Sequence, residues 1–186
     1  MLAAKPSLDT FAAVREATLA HRAAHGCGAY PYENGALLGA LAAAANARRV
    51  LELGTALGYT ALCFAHGAPH AVIDTIERDP DHVRLARDNI QAHGMVGHIV
   101  VHEGDFASVL RTIDPGYDVA FFDGFTPARP LLKELRRLLR ARGLLISANL
   151  THSGADAYLT ALQDGKSWLT AFLDEERETA LSIKLG

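Results

Sequence analysis

Two cysteines, Cys27 and Cys63, are the only thiols in 186 residues. They are too few for a disulfide framework, and they lack the C-x-x-C spacing of a zinc or redox site. Long apolar runs are missing as well; none approaches the roughly 20 residues needed to cross a bilayer. The first ten residues, which include Lys5, Pro6 and Asp9, lack the apolar stretch of a secretory signal. Positive charge is not in excess: 18 Lys and Arg stand against 21 Asp and Glu, a formal net charge of -3. That balance gives no electrostatic reason to expect nucleic acid or an anionic membrane as partner. Internal repeats and low-complexity linkers are also absent, apart from the alanine run 42–45, which helix propensity explains. What remains is an ordinary globular composition, 49% hydrophobic and 21% charged. It predicts one cytoplasmic domain that buries about two-thirds of its surface without staples.

The residue pattern predicts two helices first, over 9–25 and 33–45. Asp9 is the expected N-cap of the first, Phe11, Val14 and Leu19 its apolar face, and Gly26 and Gly28 its stop. From Arg49 onward strands and helices alternate. Strands are expected at 50–53, 71–76, 99–101, 117–122 and 144–147. Helices are expected at 58–66, 79–93, 106–112, 130–140 and 154–163, with Asp79-Pro80 as a cap and first-turn pair. Two last strands, 167–173 and 178–185, flank the charged turn Asp174-Glu175-Glu176-Arg177 and should pair as an antiparallel hairpin. The expected architecture is therefore α/β, a seven-stranded, mostly parallel sheet. Residues 1–46 form a helical lid and 47–186 the core.

In such sheets ligands bind beyond the carboxyl ends of the strands, near the switch in strand order. After the first strand comes Glu52-Leu53-Gly54-Thr55-Ala56-Leu57-Gly58-Tyr59-Thr60, a glycine turn leading into a helix N-terminus suited to a carboxylate. A dinucleotide fingerprint would need glycine where Ala56 stands, which disfavours NAD. After the second strand, Glu77 is placed to accept ribose hydroxyls, and the stem of Arg78 could border a base. After the third, Gly104 turns the chain, Asp105 is either an adenine acceptor or an N-cap, and Phe106 either covers the ring or joins the core. Asp123 ends the fourth strand, and Asn149, Thr151 and His152 follow the fifth. Asp123 and His152 are the candidate general bases. His21 and His25 lie four apart on one helix face, but no carboxylate or third ligand is spaced to join them, so no metal is expected there. Arg136, Arg137, Arg140 and Arg142 read as the solvated side of an amphipathic helix.

Taken together, Val50-Leu51-Glu52-Leu53-Gly54-Thr55-x-x-Gly58-Tyr59-Thr60-Ala61-Leu62, then Glu77, then Phe121-Phe122-Asp123, resemble the S-adenosylmethionine-dependent O-methyltransferases of the catechol and caffeoyl-CoA type. The resemblance runs from about Tyr30 to the C-terminus and implies a Rossmann-like class I methyltransferase fold. It implies S-adenosyl-L-methionine as cofactor and S-adenosyl-L-homocysteine as product. By it Glu52, Gly54, Thr55 and Thr60 line the methionine portion, with Gly58 and Tyr59 completing the turn. Glu77 holds the ribose, Asp105 and Phe106 border the adenine, Asp123 lies near the methyl group, and Tyr30 belongs to a segment that covers the cofactor.

Two departures stand out. The family holds a divalent cation with an Asp after the fourth strand and an Asp-Asn pair after the fifth. Here Asp123 is present but the pair reads Ala148-Asn149, and the family's lysine near the reacting hydroxyl corresponds to Thr126. A divalent metal is therefore not expected, and O-methyl transfer to a small molecule without one is the leading reading. An inert cofactor-binding or assembly domain of the same fold is the alternative. The resemblance also implies a homodimer through the N-terminal helices.

Overall fold

The computed structural model describes residues 9–186. Its order is α1 (Ala12–His25), α2 (Gly35–Ala44), β1 (Arg49–Leu53), α3 (Tyr59–Gly67), β2 (Val72–Glu77), α4 (Pro80–Ala92), β3 (Ile99–Glu103), α5 (Phe106–Leu110), β4 (Tyr117–Phe122), α6 (Arg129–Leu138), β5 (Leu139–Ser147), α7 (Asp156–Leu162), β6 (Trp168–Phe172) and β7 (Ala180–Lys184). The strands form one sheet in the order β3-β2-β1-β4-β5-β7-β6. The first five run parallel; β7 lies antiparallel between β5 and β6. The seven-stranded α/β architecture read from the sequence is thus the observed one.

The central strands are buried on both faces, which is why they read as continuous apolar runs. Alternate residues separate two cores. Val50, Phe121 and Ile146 pack with α1–α4, while Leu51, Phe122 and Leu145 pack with α5–α7. Among the described residues no helix is long and apolar enough to cross a membrane.

Three local differences from the expected elements have physical causes. Helix α1 starts at Ala12, because Asp9 makes a turn of its own by accepting the Phe11 N–H at 3.0 Å. Helix α6 stops at Leu138, and β5 starts at Leu139, where a helix to Arg140 was expected. Leu139 continues the apolar stripe of α6, but it pairs with Tyr117 and is 1% exposed, so sheet burial overrides helix propensity. The register then shifts before Val119 meets Leu144, with Arg142 in a left-handed conformation.

At the amino ends of the strands, Asp118 of β4 accepts the N–H groups of Arg48 (2.7 Å) and Arg49 (2.9 Å) and pairs with Arg140 of β5. At the carboxyl ends, chain connections leave β1 and β4 in opposite directions. That divergence opens the crevice where the strand-end residues meet.

Candidate active site at the carboxyl ends of the strands

Gly54 has φ +105°, and a Cβ there would stand 2.7 Å from the Asp123 carbonyl oxygen. Only glycine lets the loops after β1 and β4 approach so closely. Ala56 has φ +45°, a conformation alanine disfavours. Its N–H is held by Glu77 Oε2 at 3.0 Å. Gly58 (φ +90°) caps α3.

Glu77 accepts two more N–H groups through Oε1, from Arg78 at 2.9 Å and Asp79 at 3.0 Å. Three backbone donors therefore hold this carboxylate against the glycine turn, and lone-pair capacity is left for a ligand. Arg78 itself is exposed.

Glu52 lies beneath the same turn and is fully buried. The Thr75 hydroxyl donates to its Oε2 at 2.5 Å, and Thr75 in turn shares a hydrogen bond with Thr55 at 2.6 Å. Oε1 is buried with no hydrogen-bond partner among the described residues. Burial pushes the Glu52 carboxyl up to about 8; the Thr60 and Thr75 hydroxyls pull the other way, and Asp123 and Glu77 add to the rise. A protonated acid beneath a ligand loop is a latent negative charge, released when a cation approaches.

Asp123 receives Asn149 Nδ2 on Oδ1 at 3.1 Å, and the same amide donates to the Gly124 carbonyl at 2.7 Å. The second contact fixes the amide orientation, because a carbonyl can accept from the amide NH2 but not from the amide oxygen. Burial pushes the Asp123 carboxyl up to about 7, with the Asn149 hydrogen bond opposing and Glu178 adding to the rise. A base titrating there is matched to neutral pH. As a home for the family's cation the site does not fit. It offers one carboxylate already taking an amide N–H, an amide whose nitrogen faces that acid, and apolar Ala148.

Other expected residues stand elsewhere. The Tyr59 ring is 3% exposed in the seam between α2 and α3, and its hydroxyl donates to Asp9 Oδ2 at 2.8 Å, so only its backbone belongs to the turn. Gly35 makes room for it; a Cβ there would meet the Tyr59 hydroxyl at 2.6 Å. Tyr30 is 50% exposed beneath the Arg22 guanidinium, which lies 5.2 Å from the ring centre. Tyr32 is the half-buried aromatic of this segment, edge-on to Phe121 at 5.4 Å with its hydroxyl 3.5 Å from Thr179.

Gly104 has φ +151° and turns the chain as expected. Asp105 caps α5, its two oxygens taking the Ser108 N–H and hydroxyl; these contacts hold it below the usual carboxylate range. Phe106 is half-buried and stands edge-on to Phe122. Exposed His152 meets the Asn149 carbonyl at 3.2 Å and lines an open groove of about 570 Å³ with α7 and the 176–177 turn, a groove to which Asp123 does not contribute. Of the two candidate bases, Asp123 alone stands in the crevice between β1 and β4. Thr75 and the role of Asn149 were missed. Register signals the first, since Thr75 is the partner of Glu52 across the sheet.

The O-methyltransferase family model matches residues 4–165. A Mycolicibacterium smegmatis protein whose name assigns it to the O-methyltransferases is 31% identical over 172 residues, covering 87% of this chain and 80% of that one. A catechol O-methyltransferase of Mycobacterium tuberculosis is 38% identical over 93 residues, covering 49% of this chain and 42% of the relative. The solved structure of a Streptomyces achromogenes O-methyltransferase in complex with S-adenosylmethionine superposes with a TM-score of 0.79 at 22% identity, covering 100% of this chain and 93% of that one. On the family match and the long alignment together, the chain belongs to the O-methyltransferase family.

Proposed function

We propose that this protein transfers a methyl group from S-adenosyl-L-methionine to a hydroxyl of a small molecule, without a divalent cation in the reaction. The observation that carries the reading is the bond between Glu77 Oε2 and the Ala56 N–H. It joins a strand-end acid to the glycine turn, making one cradle for an amino-acid-bearing nucleoside. Buried Glu52 supports the choice of a cationic ligand, because a nearby positive charge favours its ionised form.

The cofactor, when bound, supplies the activated methyl group. The chain's residues supply alignment and a proton acceptor. Glu77 accepts from the ribose hydroxyls, and the 54–58 turn presents its backbone to the methionine portion. Gly104 and Phe106 border the adenine, with Asp105 serving as the helix cap beside it. An acceptor hydroxyl at the rim would give its proton to an Asp123 carboxylate oxygen, leaving its own oxygen free to act as the nucleophile. Asn149 keeps that carboxylate oriented. With Thr126 at the lysine position and Ala148 at the acid position, acceptors of already acidic hydroxyl suit the site best. The segment before β1 acts as the lid, with Tyr32 packed on Phe121 and Phe125 over Gly28.

The reading carries with it a homodimer through the N-terminal helices, supported by the family resemblance. It also carries a cytoplasmic location, supported by two free thiols. The test is calorimetric titration with S-adenosylmethionine, then S-adenosylhomocysteine release from a panel of phenols at graded Mg2+. Binding with Mg2+-independent turnover is expected. Absence of binding removes the cofactor reading, and binding without turnover on any phenol favours the inert alternative. Turnover that rises with Mg2+ removes metal independence.

A further inference from the structure

Three ligand-type side chains that the methyl-transfer reading leaves unused converge beside α1. His21 lies in α1, Cys27 in the turn that follows it, and His82 in the first turn of α4. One ligating atom from each lies within 4.8 Å of the others. None of the three stands at a strand end. His82 is 6% exposed, and its backbone N–H rests on the α4 cap, Asp79, at 3.3 Å. The His21 ring stands edge-to-face with it at 5.2 Å between centres. Cys27 and His21 are half-buried, within reach of solvent ions.

We propose that His21, Cys27 and His82 form a binding site for Zn2+, distinct from the methyl-transfer crevice, that ties the turn after α1 to the start of α4. The donor set selects the ion: two imidazoles and a thiolate suit zinc, while Mg2+ and Ca2+ want oxygen. Tetrahedral zinc bonds of about 2.3 Å to sulfur and 2.0 Å to nitrogen hold donors roughly 3.3–3.7 Å apart. The trio therefore draws in by about an ångström. Cys27 can make that movement on its Gly26 side (φ +62°), where nothing stands within 4 Å of an added Cβ, while Gly28 stays packed under the Phe125 ring. Three protein ligands leave the fourth corner to water. On binding, the Cys27 thiol gives up its proton to solvent and its sulfur lone pair forms the metal bond. An occupied site pins residues 26–28 at the root of the segment that carries Tyr30 and Tyr32.

The test uses the full chain, chelator-stripped and kept reduced with a phosphine, titrated with Co2+ as a coloured stand-in for zinc. One Co2+ per chain is expected, with thiolate-to-cobalt charge-transfer absorption and the visible bands of tetrahedral cobalt. Zn2+ should displace it and Mg2+ should not. Cys27→Ser should abolish the charge-transfer band. His21→Gln and His82→Gln should each weaken Co2+ affinity roughly tenfold or more, while His70→Gln, at an exposed position, should leave it unchanged. Zn2+ should raise the Tm of the parent protein but not of Cys27→Ser. If buried His82→Gln fails to fold, the half-buried Cys27 and His21 variants decide alone. Absence of stoichiometric Co2+, a thiolate band that survives in Cys27→Ser, or unchanged affinity in His21→Gln would each overturn the site.

Discussion

Glu52 makes the stability of the ligand-free protein depend on pH in an unusual direction. Its carboxyl is pushed up to about 8 in the folded state, against 4.5 for the free group. Between those values the folded protein holds a proton that the unfolded chain has released. The Glu52 contribution to stability is then greatest below pH 4.5, falls as pH rises toward 8, and levels off above it. For a fully buried group, a displacement of this size corresponds to a loss on the order of 5 kcal/mol. Glu52→Gln cannot ionise, so it should remove this component. Its amide oxygen can still accept from Thr75, and its NH2 takes the position of the partnerless Oε1. An unmatched buried donor costs about 1–3 kcal/mol, so the variant should be somewhat less stable at pH 5 yet more stable than the parent at pH 8.5. Urea unfolding at half-unit intervals from pH 5 to 8.5 reads the crossover directly. Parallel pH dependences for variant and parent would refute the reasoning. Asp123 adds a comparable slope of the same sign between about pH 4 and pH 7.

Other perturbations have equally definite outcomes. Asp123→Asn should lower turnover by roughly 10²–10⁴-fold and flatten the limb of the pH–rate profile near 7, with little effect on cofactor affinity by calorimetry. Gly54→Ala forces a Cβ to 2.7 Å from the Asp123 carbonyl at φ +105°, and should lower the urea midpoint by the equivalent of about 1–3 kcal/mol. Glu77→Ala leaves the N–H groups of Ala56, Arg78 and Asp79 without their acceptor. It should weaken S-adenosylhomocysteine binding roughly tenfold or more; parent-like affinity in that variant would remove Glu77 from the cradle.

The parallel core was legible in the sequence because strands buried on both faces must be apolar, and because glycine or an acid marks the ends of the first four strands. Gly54, Glu77 and Asp123 could be picked out on that ground, and the structure brings their loops together. What depends on register or distant packing was not legible. The partnership of Glu52 with Thr75 follows from β1–β2 alignment, which no local pattern encodes. Tyr59 sits in the glycine-turn motif, yet its ring turns into the α2–α3 seam because Gly35 leaves space there. Helix spacing pairs His21 with His25, and their ring centres do stand 4.4 Å apart, but it could not show Cys27 and His82 gathering at the same imidazole. Leu139 prolonged a helical stripe until pairing with Tyr117 claimed it for the sheet.

Asp118 has a consequence for how such a protein can change over evolutionary time. By gripping two successive amides at the start of β1 and a guanidinium from β5, it laces three neighbouring strands together at the end remote from the chemistry. Variation in the exposed loops at 124–126 and 151–154 therefore leaves that lacing untouched. New methyl acceptors can be accommodated by remodelling those loops alone, with the barrier to divergence set by rim fit and not by the integrity of the frame.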